Sequence, residues 1–252
     1  MEKVILVRNL SLKLGNRYVL EDISFEVEKG ETVIIIGSSG CGKTVLIKTI
    51  LGIYKPSKGD IFIFGENIKE LNEEGIMKIR EKIGMVFQNS ALFDSLCVWE
   101  NVGFYYLYHT EKNKEDIKLM AIEILKKLGL DEKVADMMPE QLSGGMKKRV
   151  SIARALISKP DIIFYDEPTT GLDPITSESL TDLMKKIHKD FNTTDIIVTH
   201  DVKLAGKIGE RLILLDKGKI VETGTFEELR EKSIHPLIRS YVEGGEDEKI
   251  IS

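Results

Sequence analysis

Apolar and polar residues alternate along residues 3–29, as in Ile23-Ser24-Phe25-Glu26-Val27-Glu28. A period of two is typical of strands with one buried face. Gly15-Asn16 and Lys29-Gly30 supply turn residues between such strands, and a further β-pair is predicted around residues 60–64. Together these segments predict a small antiparallel β layer.

Continuous apolar runs occur later in the chain, and such runs are typical of strands buried on both faces of a parallel sheet. They lie at residues 33–36, 83–87, 162–165, 196–198 and 212–215. One helical pattern follows the first run, at residues 43–53, and another lies between the third and fourth runs, at residues 176–190. Strands and helices that alternate in this way predict a doubly wound α/β core.

The β pattern disappears between residues 89 and 159, where apolar residues such as Ile122, Leu125 and Leu128 recur at helical spacing. We therefore predict a helical subdomain at 89–159, inserted into an α/β core formed by 1–88 and 160–252 within one domain. The acidic end, Glu243 to Glu248, is expected to be a solvated tail.

Composition narrows the class of protein. The chain has 252 residues, 42% hydrophobic and 31% charged, which is typical of a globular protein. A net charge of -5 gives no field for gripping nucleic acid. No apolar run approaches the ~20 residues that a membrane-spanning helix needs, and the charged start does not resemble a signal peptide. Cys41 and Cys97 lack metal-ligand spacing, so we expect two free thiols in a cytoplasmic protein.

A glycine-rich segment separates the buried strand at 33–36 from the following helix. It consists of Gly37, Ser38, Ser39, Gly40, Cys41, Gly42, Lys43 and Thr44, and it matches the phosphate-binding loop pattern. In that pattern backbone N–H groups and the helix N-terminus face phosphate oxygens, the lysine adds a positive charge, and the hydroxyl reaches magnesium. A plain glycine turn is the alternative, but it gives no reason for Lys43.

Two carboxylates, Asp166 and Glu167, end the apolar run at 162–165. Acids at a strand end can be solvated loop residues. Beside a phosphate loop they could instead hold a magnesium ion and polarise a water molecule.

The segment Leu142-Ser143-Gly144-Gly145-Met146 resembles the signature motif of ABC ATPases. Other landmarks of that family fall in the family order: the phosphate loop, Gln88, the signature, Asp166-Glu167, Gly171-Leu172-Asp173 and His200. A helix cap without a ligand is the alternative for the signature segment. The resemblance covers most of the chain.

This resemblance implies a P-loop NTPase ABC cassette with a RecA-like core, an antiparallel β subdomain and an inserted α-helical subdomain. It also implies an ATPase that works as a head-to-tail homodimer with ATP and Mg²⁺ at the interface. The implied roles are Lys43 on the phosphates, Thr44, Gln88 and Asp166 at the metal, Glu167 as general base, His200 at the γ-phosphate, and Ser143, Gly144 and Gly145 closing the site from the partner.

Two positions depart from the family pattern, and two others have competing interpretations. Met146 replaces the usual glutamine of the signature, and Leu14 occupies the place of the adenine-stacking aromatic, so Tyr18 is the candidate to stack instead. A histidine at a strand end, such as His200, can be a packed surface residue. Asn113-Lys114-Glu115-Asp116 fits a guanine-reading motif, but its charged surroundings predict a solvated helix start.

Finer resemblance points to the ATPases of Mla-type lipid transporters, which work with a permease and MCE proteins. It is carried by residues 87–94 with 98–102, by 138–141 and by 173–177. The resemblance implies a peripheral position on the cytoplasmic face of the inner membrane, with the permease docking near Leu92, Phe93, Val98 and Trp99. Each of these four could alternatively be a core residue. An amino acid or drug cargo, a soluble ABC ATPase, and a P-loop kinase or GTPase are the rival functions.

Overall fold

The computed structural model describes residues 2–239, so the predicted acidic tail at 243–248 lies outside the described residues. The described strands are β1 Lys3–Leu14, β2 Arg17–Glu28, β3 Thr32–Ile36, β4 Lys58–Ile63, β5 Glu66–Asn67, β6 Ile83–Val86, β7 Ile162–Asp166, β8 Thr194–Thr199, β9 Arg211–Asp216 and β10 Lys219–Gly224. The described α-helices are α1 Lys43–Ile50, α2 Glu73–Arg80, α3 Val98–Val102, α4 Phe104–His109, α5 Lys114–Lys127, α6 Gly144–Leu156, α7 Pro174–Phe191, α8 Val202–Ile208 and α9 Phe226–Lys232. Short 3-10 helices span Glu132–Asp136 and Pro139–Gln141.

The described residues form two compact units, the first from residues 2–79 and 196–239 and the second from 80–195. In the first unit a four-stranded antiparallel sheet has the order β2-β1-β4-β5. Ile5 of β1 pairs with Val27 on one side and with Ile63 on the other. The predicted antiparallel layer is therefore confirmed.

The same unit contains the strands that lead to the glycine-rich loop, in the order β10-β9-β3-β8. β3 runs parallel to β9, with Val33 opposite Arg211, and β9 pairs antiparallel with β10. Residues 33–36 have no exposed surface, which confirms the strand predicted to be buried on both faces. The loop therefore leaves the carboxyl end of a fully covered strand.

In the second unit β6 runs parallel to β7, with Ile83 opposite Ile162. Helix α6 packs against β6, and the approach is close because a Cβ at Gly84 would lie only 2.9 Å from the Ala155 carbonyl oxygen. Residues 89–159 form helices and loops without a strand, as their periodicity predicts. The subdomain boundaries at 88 and 159 stay a prediction.

Helix α5 contains the segment that fits the guanine-reading motif. Asn113 is its N-cap, and the Asn113 side chain accepts a hydrogen bond from the Glu115 N–H at 3.0 Å. The other two residues that define the motif, Lys114 and Asp116, lie in the first turn of the helix, and residues 113–116 are exposed. The solvated helix start predicted here is confirmed.

Candidate active site

The glycine-rich loop of the first unit connects β3 to α1 through backbone conformations that favour glycine. Gly40 has φ +79° and Gly42 has φ +114°. A Cβ at Gly42 would also lie 3.2 Å from the Val19 carbonyl oxygen of β2. At Gly42 both the backbone conformation and the available space exclude a residue with a side chain. These glycines allow the tight turn that the loop makes before α1 begins at Lys43.

The first residue of the loop, Gly37, is held by the neighbouring strands. Its N–H donates to the Thr199 carbonyl oxygen at the end of β8, at 3.3 Å. A Cβ here would lie 2.3 Å from the Leu215 carbonyl oxygen and 2.6 Å from Cys41 Sγ. Only glycine therefore allows β9 and the loop to approach one another this closely.

Lys43 lies buried beneath the exposed part of the loop. Its Nζ donates to the Gly37 carbonyl oxygen at 2.7 Å and to the Ser38 carbonyl oxygen at 3.1 Å. Ser38, Ser39 and Gly40 are exposed. The loop thus presents backbone groups to solvent with a cation at its base, which is the arrangement of an anion-binding nest. A plain turn does not account for a buried lysine in this position.

Tyr18 lies on the strand that borders this loop, because the next residue, Val19, contacts Gly42. The Tyr18 ring is 43% exposed, and the Lys13 Nζ lies 4.5 Å from its centroid. Leu14 is similarly exposed and pairs with Arg17 at the end of the β1–β2 hairpin. A planar, partly exposed ring near the phosphate loop is suited to stacking on a base.

His200 follows β8 and is exposed. It is adjacent to Thr199, whose carbonyl oxygen accepts the Gly37 N–H. Asp201 then begins α8 as its N-cap, and its side chain accepts from the Leu204 N–H. His200 therefore lies next to the strand end that is bonded to the phosphate loop, and its role at the γ-phosphate stays a prediction.

Asp166 and Glu167 lie at the carboxyl end of β7 in the second unit. They are only 5% and 7% exposed, so the alternative of solvated loop acids is wrong. Glu167 has φ +47°, an uncommon conformation for a residue other than glycine. One carboxylate oxygen, Oε2, accepts from Thr170 Oγ1 at 3.3 Å. A buried acid held in a strained backbone conformation is typical of a functional position.

Gln88 is exposed in the segment after β6. Its carbonyl oxygen accepts a 2.5 Å hydrogen bond from Lys148 Nζ, and the same Nζ lies 3.4 Å from the Glu167 carbonyl oxygen. Burial lowers the pKa of Lys148, while the nearby negative charges of Asp166 and Glu167 oppose that shift. Within the second unit, Gln88 and Glu167 are therefore joined through one lysine.

The signature segment forms the start of α6. Ser143 is its N-cap and accepts a hydrogen bond from the Met146 N–H at 3.3 Å. A Cβ at Gly145 would lie 2.7 Å from Thr176 Cγ2 of α7. Asp173 caps α7, and hydrogen bonds from Thr176 lower the Asp173 pKa. The helix cap is therefore present, and an exposed Ser143 and Gly144 remain available to a ligand.

The four predicted docking residues differ in exposure. Phe93 is exposed, whereas Leu92 and Trp99 are half-buried. Val98 has no exposed surface, so its inclusion as a docking residue is wrong: an apolar first-turn position of α3 packs into the core. Asn101 organises the intervening loop, since its side chain bonds to the backbone of Phe93 at both the N–H and the carbonyl oxygen.

Cys41 and Cys97 are both free cysteines. Burial raises the pKa of the Cys41 thiol, and the positive charge of Lys43 opposes that shift. Burial likewise raises the pKa of Cys97. A raised pKa lowers the fraction of reactive thiolate.

The predicted magnesium ligands have the right chemistry for that ion. The Thr44 hydroxyl, the Gln88 amide oxygen and the Asp166 carboxylate are hard oxygen donors, which Mg²⁺ prefers together with water and phosphate oxygens. No cluster of three His, Cys, Asp or Glu side chains within residues 2–239 has the arrangement of a metal site. As oxygen donors, the three predicted ligands fit Mg²⁺ bound together with nucleotide phosphates.

Three side chains make hydrogen bonds to the backbone that the sequence alone does not predict. Lys148 holds Gln88 and Glu167, Asn101 holds Phe93, and Arg154 donates to the Ala91 carbonyl oxygen at 2.6 Å. The signal for Lys148 was the run of basic residues after the signature, but a basic run gives no indication of which lysine turns inward. Burial at position 148 distinguishes it from Lys147.

Comparison with known proteins gives consistent results. The family model described as "ABC transporter" matches residues 20–170. The methionine import ATP-binding protein MetN 2 of Bacillus cereus is 37% identical over 93% of this chain and 70% of that protein. The intermembrane phospholipid transport system ATP-binding protein MlaF of Haemophilus influenzae is 36% identical over 90% of this chain and 86% of that protein.

A solved structure gives the same result for the fold. The ATP-binding cassette MJ0796, in a dimeric post-hydrolysis state bound to ADP and Pi, has a TM-score of 0.79 and 35% identity over 88% of this chain and 98% of that one. In residues 2–239, no helix combines the length and apolarity required to span a bilayer. The α/β fold class and the ATPase activity predicted from the sequence are thus confirmed. The chain belongs to the ABC transporter family, as an ATP-binding subunit that hydrolyses ATP.

Proposed function

We propose that this subunit drives phospholipid transport through an Mla-type permease. The observation that carries the proposal is the similarity to MlaF, which extends over 86% of that protein. The exposed aromatic loop at Phe93, held by the buried Asn101, supplies a surface on which a membrane partner could dock. The Mla resemblance of residues 87–94 lies in the same loop.

In the proposed cycle ATP binds with its phosphates on the loop of residues 37–44. Lys43 exchanges its bonds to the loop carbonyl groups for phosphate oxygens, and Tyr18 stacks on the base. Thr44, Gln88 and Asp166 would hold Mg²⁺, which would neutralise negative charge on the phosphates. Each of these roles uses a group that the residue carries, namely a cation, a ring and oxygen donors.

Hydrolysis is assigned to two side chains. Glu167 accepts a proton from the attacking water as general base, and the water oxygen forms a bond to the γ-phosphorus atom. The bond between that phosphorus and the β–γ bridging oxygen breaks, and ADP leaves with the bridging oxygen and its electron pair. His200 stabilises the negative charge on the phosphoryl group during this transfer. The burial of Glu167 and its hydrogen bond from Thr170 support this role, because they fix the direction of one carboxylate oxygen.

Two copies of the chain are proposed to work together. The related cassette MJ0796 is a dimer in its post-hydrolysis state. The exposed Ser143 and Gly144, with Gly145 behind them, begin a helix whose N-terminal N–H groups favour anions. We place this segment against the nucleotide of the partner copy, so that ATP joins the two copies and hydrolysis releases them.

The membrane partner is proposed to be a permease that docks on the loop around Leu92, Phe93 and Trp99. An MCE protein is the expected further component, and the subunit would sit peripherally on the cytoplasmic face of the inner membrane. Val98 is left out of the docking surface because it is buried. An exposed aromatic ring beside half-buried apolar residues is typical of a contact surface.

Amino acid import is the second candidate function. It is favoured by MetN 2 of Bacillus cereus, a methionine import protein that is 37% identical to this chain. The same ATPase steps would then drive a different permease, and only the cargo and the membrane partner would differ.

Purification of the tagged Glu167→Gln variant from detergent-solubilised membranes, followed by mass spectrometry of proteins and lipids, tests the proposal. Glu167→Gln should bind ATP but hydrolyse it only at a small residual rate, so the ATP-bound complex stays together. We expect a permease with an MCE protein and phospholipid. A methionine or amino acid permease would replace the cargo and keep the motor, and recovery with ribosomes or DNA alone would overturn the transport function.

A matched control separates docking from folding. Phe93→Ser should lose the permease while the ATPase activity of the purified subunit is retained, because Phe93 is exposed. Val98→Ala creates a buried cavity and should lower thermal stability instead. Equal permease recovery with Phe93→Ser and with the parent would remove this loop as the docking surface.

A further inference from the structure

Lys148 is a buried cation whose contacts connect two residues of the proposed hydrolytic site. It lies in the second turn of α6, the helix that begins at the signature, and it is 4% exposed. Lysine is almost never fully buried unless its ammonium group is paired. Its neighbour Lys147 is only half-buried, so the two lysines have different environments on the same helix.

The ammonium group of Lys148 is directed at backbone carbonyl groups. Nζ lies 2.5 Å from the Gln88 carbonyl oxygen and 3.4 Å from the Glu167 carbonyl oxygen. These two residues are 79 positions apart in sequence, yet a single group contacts both. A charged donor makes stronger hydrogen bonds than a neutral one. Lys148 therefore constrains the backbone at both positions at once.

The backbone conformation of Glu167 explains why the Lys148 contact matters. A left-handed conformation is unfavourable for an L-residue other than glycine, and Glu167 has φ +47°. Such a conformation persists only where the surroundings determine it. The Lys148 bond to the Glu167 carbonyl oxygen is one such determinant, and the direction of the Glu167 side chain follows from its backbone.

The charges of the neighbouring side chains also support a positioning role for Lys148. Asp166 and Glu167 are adjacent and buried, and two carboxylates brought together out of water repel each other. Lys148 places a positive charge near both, since both interact with it electrostatically. Removing that charge while the carboxylates remain leaves them less well balanced.

The same helix also holds the loop after Gln88. Arg154 donates to the Ser90 carbonyl oxygen at 2.8 Å and to the Ala91 carbonyl oxygen at 2.6 Å. Both loop residues have positive φ, +60° and +47°. Helix α6 therefore supports the segment 88–91 at two points, and Lys148 also contacts Glu167.

We propose that Lys148 is a positioning residue for ATP hydrolysis, which orients Glu167 and Gln88 through their backbone carbonyl groups. The inference rests on the roles proposed above for these two residues. It makes α6 a rigid link from the signature to the general base. The arrangement of the signature helix is then transmitted to the hydrolytic residues without a contact between Lys148 and the nucleotide.

Steady-state ATP hydrolysis by the full-length purified chain tests the inference. Lys148→Met has a similar shape without the donor or the charge, and removal of such a supporting contact lowers activity about 10- to 100-fold. We expect that loss in kcat, with KM for ATP changed less than about threefold because Lys148 does not bind substrate. Lys148→Arg keeps a charged donor and should recover much of the rate. Lys147→Met is the matched control and should keep the parental kcat.

Several results would overturn the inference. These are a parental kcat in Lys148→Met, a raised KM with unchanged kcat, and a Lys148→Arg variant that is as slow as Lys148→Met although its thermal midpoint is normal. If Lys148→Met does not fold, Lys148→Leu, which also lacks both the donor and the charge, carries the same expected loss of kcat.

A double-mutant cycle separates this inference from the proposed function. If Lys148 acts through Glu167, Lys148→Met should lower the residual hydrolysis of Glu167→Gln by less than about twofold, because the effects of coupled residues are not additive. A full additional loss would overturn the inference. Parental hydrolysis by Glu167→Gln would instead overturn the proposed base, whereas an inactive Glu167→Gln beside a normal Lys148→Met would remove the Lys148 inference alone.

Discussion

The phosphate loop and the signature segment are both glycine-containing helix starts, but their glycines have different structural roles. In the phosphate loop Gly40 and Gly42 adopt positive φ. In the signature Gly144 and Gly145 do not have positive φ, and Gly145 instead leaves room for Thr176, which a Cβ would approach to 2.7 Å. The first segment needs glycine for its conformation, and the second needs it for close helix packing.

The two segments also differ in charge. The phosphate loop encloses Lys43, which is bonded to loop carbonyl groups. The first residues of the signature helix, Ser143, Gly144 and Gly145, are uncharged, and Ser143 caps the helix by accepting from the Met146 N–H. One segment can therefore hold phosphate alone, whereas the other offers helix N–H groups and a hydroxyl, which complement a nucleotide that is already bound elsewhere.

The largest expected effect comes from removing the cation of the phosphate loop. Lys43→Met should lower kcat by at least about a hundredfold, because the charge that faces the phosphates is lost, and ATP affinity should fall as well. Steady-state hydrolysis and titration with a fluorescent ATP analogue measure both. Lys48→Met, in the last turn of the same helix, is the control and should behave like the parent. Tight ATP binding by Lys43→Met would contradict the role of Lys43.

The second effect concerns packing at the signature. Gly145→Ala places a methyl group against Thr176, and overpacking of this kind costs about 1–3 kcal/mol. We expect slower hydrolysis with nearly unchanged ATP binding by the single chain. Thr176→Ser removes the methyl group that Gly145→Ala meets, so the double variant should recover activity. Failure of the double variant to improve on Gly145→Ala would show that close packing is not the reason for glycine here.

The third effect distinguishes a helix cap from an anion site. Ser143→Ala removes the cap and should lower stability by about 1 kcal/mol. Ser143→Asp keeps a capping oxygen but adds a negative charge, so we expect normal thermal stability with reduced hydrolysis and reduced ATP-dependent dimer formation. Size-exclusion chromatography in the Glu167→Gln background measures the dimer. A Ser143→Asp protein that dimerises normally would leave Ser143 as a helix cap alone.

Much of the fold follows from local patterns in the sequence. The run Val33–Ile36 predicts a strand buried on both faces, and its residues are fully buried. Strand β10 was missed because its residues alternate between half-buried and exposed positions at the edge of a sheet. Helices α8 and α9 were missed because helices of seven residues give too few turns for a clear period.

In the candidate site too, the sequence identifies local features but not contacts between residues far apart in the chain. The loop 37–44 and the pair Asp166-Glu167 are continuous in sequence, so their residue order was sufficient to find them. Lys148 was not found, because its contacts depend on segments far apart in the chain. Val98 was misassigned because an apolar residue in a loop motif has the same sequence signal whether it packs inward or faces a partner.

The smallest expected effect concerns the thiol of the phosphate loop, a feature with no counterpart in the signature. Burial raises the pKa of Cys41, so its thiolate fraction at neutral pH is lower than that of a free cysteine, and alkylation should quicken as the pH rises. We expect slow labelling by N-ethylmaleimide at pH 7, faster labelling at pH 9, and further protection by ATP at either pH.

Peptide mass spectrometry follows the two cysteines separately. Cys97 has a similarly raised pKa but lies outside the loop, at the N-cap of α3, and ATP should leave its labelling unchanged. Urea-unfolded protein should label quickly at both positions, because burial is the cause of the raised pKa. If ATP also leaves the labelling of Cys41 unchanged, the nucleotide does not cover the loop at this residue. That result would contradict the proposal that the phosphate loop, unlike the signature, holds the nucleotide phosphates by itself.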